Sequence, residues 1–208
     1  MGRPEGMSSF LTVGHSNDSI EEFVNRLGLH HVSSVADVRS TPMSTFAPHF
    51  NREVLRISLR EQGIRYAFLG AELGARSEDP SCYEGGRVQF RRLAASERFG
   101  SGIVRLESAR PEEVIAIMCT ERDPLCCHRT ILVAQTLVER GHSVEHILGD
   151  GSLESHDSAM QRLILETKAT QRSLLEPEDE PLSRALALRE RAIAYVRESP
   201  ASSTGSAG

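Results

Sequence analysis

The stretch Ile115-Ala116-Ile117-Met118-Cys119-Thr120-Glu121-Arg122-Asp123-Pro124-Leu125-Cys126-Cys127-His128-Arg129 decides how the rest of the chain is read. An apolar run ends at Cys119, a polar loop crosses Thr120 to Pro124, and an apolar-periodic helix begins near Cys127. A short run that is apolar at every position reads as a strand buried on both faces. In an open parallel sheet, the loop leaving the carboxyl end of such a strand is where ligands bind. This loop carries thiols, a carboxylate pair, an imidazole and two guanidiniums. A purely structural connection would not need that much chemistry.

The same alternation of strand and helix recurs on either side. Phe10 to Gly14 reads as a first strand, Val32 to Val38 as a second, Ile64 to Leu69 as a third and Val144 to Leu148 as a fifth. Between the first two, Ser19-Ile20-Glu21-Glu22 has the capping-box pattern, and Gly28 is placed to end the helix it opens. Asn51 is placed to cap a helix containing Val54, Leu55 and Leu59, with Gly63 as its stop. Two helical stretches fit between Val88 and Ala109, with a break near Gly100. Strands separated by helical segments of this length mean βαβ units. The expected fold class is therefore α/β, a mostly parallel sheet of about five strands flanked by helices, with a C-terminal helical extension.

That extension follows a helix from about Asp157 to Leu175 and an acidic, Pro-bounded linker at 176–181. The expected division is a flexible N-terminus (1–9), one α/β domain (10–175), the linker, a C-terminal helix (182–198) and a Ser/Ala/Gly-rich tail (199–208).

Composition sets the outer bounds. The 208 residues, 39% hydrophobic and 25% charged, suit one soluble domain with a full core. A net charge of -5 argues against a chain that coats nucleic acid by bulk electrostatics but leaves room for a local basic cleft. No apolar run approaches the ~20 residues that span a bilayer, so no membrane association is expected. The opening residues lack a secretory pattern. Cys82, Cys119, Cys126 and Cys127 do not have the spacing of a disulfide framework. The expectation is a reduced, cytoplasmic protein; the oligomeric state is left open.

The ends of strands one to four would share a rim, and the residues there form ordered motifs. These are Thr12-Val13-Gly14-His15-Ser16, Asp37-Val38-Arg39-Ser40-Thr41-Pro42-Met43-Ser44, Leu69-Gly70-Ala71-Glu72-Leu73-Gly74, Met118-Cys119-Thr120-Glu121 and Cys127-His128-Arg129, with His146-Ile147 further on. Together they resemble the domain of unknown function 488 family over about residues 10–151. The family pattern often has Gly-Gly after Glu-Leu, where this chain has Gly74-Ala75. The resemblance implies a Rossmann-like fold and an uncharacterised enzyme. Roles of individual residues are not supplied by it and come from their chemistry.

Arg39 and Arg129, the latter in the first turn of its helix, could clamp a phosphate or carboxylate, with Arg52 as a third candidate. The alternative is that they pair with Asp37 and Glu121 and lock the loops. Those two carboxylates could instead flank a substrate and activate water, as glycosidic cleavage requires. His15 and His128 are candidates to move protons. Cys127, beside His128 and Arg129, could be a low-pKa nucleophile, and Cys119 reads as a small buried residue or ligand contact. A metal held by Cys119, Cys127, His128 and His15 is conceivable. The spacing lacks a paired C-x-x-C, and two adjacent cysteines do not easily point at one ion, so no metal is assigned.

Gly14 and the Gly70/Gly74 pair would let backbone approach a ligand. Ser16 and Ser44 complete the ligand-binding candidates. Phe46, Phe50 and His49 would either stack on a base or fold inward as a minicore. Neither a dinucleotide fingerprint nor a Walker sequence is present, so NAD and ATP are not supported and no cofactor is expected.

The leading expectation is an enzyme acting on a nucleotide or nucleic acid, by hydrolysis or transfer at a glycosidic (base-excising) or phosphoester bond. Its rival is a cysteine-centred thiol transferase or a Cys/His metal-binding regulatory module. A binding module without turnover is the third reading.

Overall fold

A computed structural model of the chain describes residues 9–110, 112–170 and 180–197. Nearly all of the N-terminal segment, most of the acidic linker and the tail beyond 198 lie outside these residues.

In chain order the elements are β1 (Ser9–Gly14), α1 (Ile20–Leu29), β2 (Ser34–Asp37), α2 (Arg52–Glu61), β3 (Arg65–Phe68) and α3 (Gly70–Leu73). A small hairpin follows, β4 (Tyr83–Glu84) with β5 (Arg87–Val88), then α4 (Phe90–Ala94) and α5 (Glu97–Glu107). The second half has β6 (Ile115–Cys119), a π-helical turn (Arg129–Ala134) running into α6 (Gln135–Glu139), and β7 (Ser143–Ile147). It closes with β8 (Leu153–Ser155), α7 (His156–Glu166) and α8 (Pro181–Ile193). No helix among the described residues is long and apolar enough to cross a membrane.

The main sheet has six strands in the order β3-β2-β6-β1-β7-β8. The first five are parallel, and β8 adds an antiparallel edge that the sequence pattern did not show, because it is short and polar. The fold is thus α/β with a mostly parallel, Rossmann-like sheet.

Side-chain alternation along the central strands builds both layers. Ile115, Ile117 and Cys119 of β6, with Phe10 of β1, enter the core shared with α5, α6 and α7. Ala116 and Met118, with Leu11 and Val13, enter the core shared with α1 and α2. Burying each such large apolar side chain contributes roughly 1.5–3 kcal/mol, which makes the two-sided apolar pattern of β6 decisive for its central place.

Several boundaries differ from the sequence pattern for local reasons. The Ser19 capping box forms, but α1 runs past Gly28, and the left-handed residue that ends it is His31 (φ 53°). Asn51 does not bond into α2; its Oδ1 accepts from the Ser44 amide at 2.6 Å and ties down the preceding turn. The break between α4 and α5 falls at Ser96, whose hydroxyl accepts from the Phe99 amide, and Gly100 lies inside α5. The helix expected to reach Leu175 ends at Glu166.

The order of strands opens the site. β2 and β6 are neighbours, yet the chain leaves β2 toward α2 on one face and leaves β6 toward α6 on the other. Connections that diverge from adjacent parallel strands leave a crevice at their carboxyl ends.

Candidate functional site

Three loops meet at that crevice, from β1, β2 and β6, and the β1 and β6 loops are bolted together. The His15 and Ser16 amides donate to the Cys119 and Thr120 carbonyls at 3.1 and 2.7 Å. A Cβ on Gly14 would sit 1.8 Å from the Glu121 carbonyl oxygen, and one on Gly70 would sit 1.9 Å from that of Arg39. Both glycines therefore permit backbone to pass backbone, not backbone to meet a ligand. Ser16, in the left-handed region at φ 49°, is not among the residues that line the crevice.

Arg129 lies inside this construction. It is wholly buried, and its guanidinium donates to the Glu121 and Arg122 carbonyls at 2.6 and 3.2 Å. Its expected role as an anion clamp is thereby corrected: the side chain holds the β6 loop from below. On the loop's outer side, Arg162 donates to Asp123 at 3.1 and 3.2 Å while also holding Glu154 and Glu166. Arg122 and Arg26 both pair with the buried Asp18. Nothing in the helical pattern of α1 flagged Arg26, which is buried one turn after Phe23.

Asp37 and Arg39 form a closed unit. Asp37 is fully buried and accepts from the Arg39 Nε and Nη2 atoms at 2.6–3.2 Å and from the Tyr66 hydroxyl at 2.7 Å. Arg39 also donates to the Phe50 carbonyl at 2.9 Å. Burial works against its charge, but the Asp37 carboxylate outweighs that and leaves the Arg39 pKa raised. Burial and the same carboxylate push the Tyr66 phenol up.

His15 stacks on Phe50 at 4.1 Å, its Nδ1 lies 2.9 Å from the Ser16 carbonyl and its Nε2 lies 3.2 Å from an Arg39 nitrogen. Burial first, and then the Arg39 charge, lower its pKa to about 4. A neutral imidazole donating through Nδ1 and accepting through Nε2 satisfies both contacts. The catalytic roles expected of Asp37 and His15 give way to this network, because the Asp37 side chain has no exposure. Arg39 does line the crevice, but its guanidinium is already engaged by Asp37, the Phe50 carbonyl and His15.

The crevice itself is a cleft of about 510 Å³. Its lining comes from Cys119, Glu121, Cys127 and His128 after β6, from Arg39, Ser40, Thr41 and Ser44 after β2, from Arg76 after α3, and from Tyr195 beyond α8. Cys127 is extended (φ -138°, ψ 141°) and His128 is helical (φ -61°, ψ -24°), so two consecutive side chains turn toward Cys119. His128 Nδ1 lies 3.8 Å from Cys119 Sγ and 3.9 Å from Cys127 Sγ, and its Nε2 lies 3.1 Å from the Val38 carbonyl. The Arg129 amide donates to Cys127 Sγ at 3.5 Å.

The two thiols are not equivalent. Burial alone would raise Cys127, but hydrogen bonding with Cys119, the Arg129 charge and His128 together hold it well below the usual thiol range. Cys119 is pushed up by its bond to Cys127 and by burial, so the pair favours one thiolate and one thiol. His128 is raised despite burial, through the hydrogen bond and charge of Cys127. Glu121 is raised by burial of its carboxyl and then by the Cys127 charge. Cys126 also lines the cleft but stands outside the cluster, its Sγ 3.6 Å from an Arg189 nitrogen. Two adjacent cysteines do fail to converge, as the spacing suggests; His128 takes the place of the second.

The remaining candidates scatter. Arg52 stacks on Phe68 at 4.4 Å, outside the cleft lining. Ser44 lines the cleft, but its hydroxyl accepts from the Phe46 and Ala47 amides. The two phenylalanines of that turn divide: Phe50 is fully buried, Phe46 is 95% exposed. His49 bonds the Asp18 carbonyl at 2.8 Å. His146 is a buried link between Thr12 and His156.

Two cleft residues were not foreseen. Arg76, in the loop after α3, lies over the Tyr195 ring at 4.6 Å. Its place after a strand on the same rim was a usable signal; the return of Tyr195 from the chain's far end had none.

Fold and site thus define an α/β protein of the doubly wound kind, with a cysteine–histidine–glutamate cluster at the carboxyl edge of its sheet. The profile of the family described as Domain of unknown function DUF488 matches residues 19–136, more than half of the chain, and the chain belongs to that family. No curated protein and no solved structure gives a significant match. The matched segment contains Glu121, Cys127 and His128 but ends before β7, and Tyr195 lies beyond it.

Proposed function

We propose that the protein is an enzyme, a hydrolase or group-transfer catalyst, that binds a small anionic, nucleotide-like ligand in this cleft. Its reaction centre is the cluster of Cys119, Glu121, Cys127 and His128, not the Asp37–Arg39 unit. The observation that carries the reading is the convergence of two sulfurs, an imidazole nitrogen and a carboxyl in the lining of one solvent-reached crevice. Glu121 is the carboxylate residue of that lining, and its raised pKa suits a group that takes and returns a proton. Arg76, with no carboxylate partner among the described residues, lines the same cleft as the cluster and would receive the anionic end of the ligand. The serine and threonine hydroxyls of the β2 loop add donors beside it.

The test is a screen of nucleosides, nucleotides and oligonucleotides carrying modified bases, for phosphoester and glycosidic cleavage, with Glu121→Gln beside wild type. Loss of proton transfer should lower kcat by about 10²–10⁴-fold with little change in KM. Full activity in Glu121→Gln would remove the proposed centre.

A second reading has its own observation. The Cys127 sulfur receives the Arg129 amide and lies beside His128, the environment of a nucleophilic thiolate. Fast, stoichiometric alkylation of Cys127 that abolishes turnover would favour it.

A further inference from the structure

We propose that Cys119, Cys127 and His128 form a site for a thiophilic divalent transition metal, zinc in chemical class, with a fourth position open to the cleft. The proposal rests on the reaction centre argued above and names the cofactor that centre would hold.

Geometry carries it. The two sulfurs and the imidazole nitrogen all lie within 4.8 Å of one another. The two sulfur-to-Nδ1 distances are 3.8 and 3.9 Å. Zinc–sulfur bonds of about 2.3 Å and zinc–nitrogen bonds of about 2.0 Å at a tetrahedral angle give an edge of about 3.5 Å. Drawing the two sulfurs toward the imidazole nitrogen by a few tenths of an ångström would bring both sulfur–nitrogen edges to that length.

The surroundings match what a ligand set requires. His128 reaches the Val38 carbonyl through Nε2, so that nitrogen carries the proton and Nδ1 presents its lone pair to the sulfurs. Metal-bound histidines are held in this way by their other ring nitrogen. The Arg129 amide donates to one of the sulfurs, as thiolate ligands commonly receive. Charge balance agrees as well. A divalent ion, two thiolates, the Glu121 carboxylate and the Arg129 guanidinium sum to zero. Arg129 is wholly buried, and both its described partners are neutral carbonyls. With the ion neutralised by its two thiolates, the Glu121 carboxylate would supply the counter-charge to Arg129.

Three protein ligands and an open position are the arrangement of a catalytic metal, not of a structural one. The cleft lies on the open side, with Glu121 beside the sulfurs. A water taking that position would lose its proton to the Glu121 carboxylate. The resulting hydroxide would attack the electrophilic atom of the ligand, and the departing group would leave with the proton from Glu121. Atoms and charge balance as a hydrolysis, with no oxidant or reductant.

The experiment uses the full chain, produced without a metal-binding tag, freed of metal under reducing conditions and then titrated with Zn(II) or Co(II). The expected result is one ion per chain and a sulfur-to-cobalt charge-transfer band in the near ultraviolet. Cys119→Ser and Cys127→Ser should each halve that band and weaken binding at least tenfold, while Cys126→Ser and Glu121→Gln keep one ion. His128→Gln, which leaves both sulfurs in place, covers the case of a cysteine variant that fails to fold.

Wild-type protein with native circular dichroism that takes up neither ion overturns the site. So does cobalt bound without a sulfur band, or full retention in both single cysteine variants. The two proposals separate cleanly. Metal bound as described with Glu121→Gln fully active refutes the reaction centre and leaves the metal; activity that depends on Glu121 without any bound ion does the reverse.

Discussion

Two clusters sit side by side at the carboxyl edge of the sheet, and they have opposite characters. The first, Asp37 with Arg39, Tyr66 and His15, is closed: its charged groups are matched in number and direction, and its carboxylate has no exposure. The second, Cys119 with Glu121, Cys127 and His128, lines a cleft and leaves its donors facing one another across a gap of 3.8–3.9 Å. Both contain the residue types from which active sites are made. What separates them is whether the polar groups complete one another within the fold. A completed set stabilises a loop; an incomplete one, held rigid from behind, can complete itself on a ligand.

Breaking the closed cluster should give the largest effect on stability. Asp37→Asn leaves a buried guanidinium without its counter-charge and should cost about 3–5 kcal/mol in urea denaturation. Glu121→Gln, one strand away, should change stability by less than about 0.5 kcal/mol while reducing turnover. A stability loss under 1 kcal/mol for Asp37→Asn would mean the pair is not the lock described here. The double variant Asp37→Leu with Arg39→Met should recover part of the loss, because the cost comes from the stranded charge more than from the pair's attraction.

The same contrast divides the turn after β2. Phe50 packs between His15 and Phe23 with no exposure, so Phe50→Ala should cost about 3–5 kcal/mol. Phe46, four positions before Phe50 in the same turn, lies in solvent, and Phe46→Ala should leave stability unchanged within about 0.5 kcal/mol. Equal losses in the two variants would show that the turn packs as a single minicore.

These particulars explain what could be read from the chain and what could not. The doubly apolar run Ile115–Cys119, the capping box at Ser19 and the positive-φ stop at Gly63 are local signals, and each gave its element correctly. β8 was missed because three half-polar residues at a sheet edge carry no period. At the site, the shared rim was legible, since topology alone brings strand ends together. Which arginines would line the cleft was legible only in part: Arg39 does, from its place after β2, but Arg76 was not foreseen and Arg129 is absent from the lining. Arg129 follows a histidine at a helix start, as an anion-binding residue would, but it lies on the buried side of the π-helical turn. The metal-like convergence was hidden for a related reason: it depends on one residue being extended and the next helical, which no spacing rule encodes.

A chain of buried histidines on the far side of β1 offers a smaller test, because it is closed in the same sense as the Asp37 cluster but contains no permanent charge. Thr12 Oγ1 lies 2.7 Å from His146 Nδ1, His146 Nε2 lies 3.2 Å from His156 Nδ1, and His156 Nε2 lies 3.0 Å from the Gln135 amide oxygen. Two neutral rings, each protonated at Nε2, satisfy every contact in one direction. Burial, and then the charge His156 would carry, lower His146 from 6.5 to about 3; burial also lowers His156.

A histidine with a depressed folded pKa binds protons more readily unfolded, so its contribution to stability is complete above pH 6.5 and declines as pH falls toward the folded value. His146 alone should remove about 1.4 kcal/mol per pH unit over that window, or about 2 kcal/mol between pH 6.5 and 5. His146→Gln should flatten the pH dependence of the urea midpoint by that amount. An unchanged slope would show that His146 charges freely in the folded state.

The smallest expected effect falls on the open cluster and tests its outward face. Arg76 is exposed, stacks on Tyr195 and takes part in no ion pair among the described residues, so Arg76→Ala should leave stability within about 0.5 kcal/mol. If the cleft holds an anion, the same change should weaken binding of inorganic phosphate or a nucleoside monophosphate about tenfold, and raising salt should narrow the difference between variant and wild type. Arg76→Lys should recover only part of the affinity, since an ammonium carries the charge but neither stacks on the ring nor forks onto two oxygens. Arg129→Lys should behave in the opposite way, lowering stability relative to wild type by a similar amount at every ligand concentration while leaving affinity little changed, because that side chain serves the loop and not the cleft. Should Arg129 control affinity while Arg76 does not, the assignment of the closed and open faces would have to be exchanged.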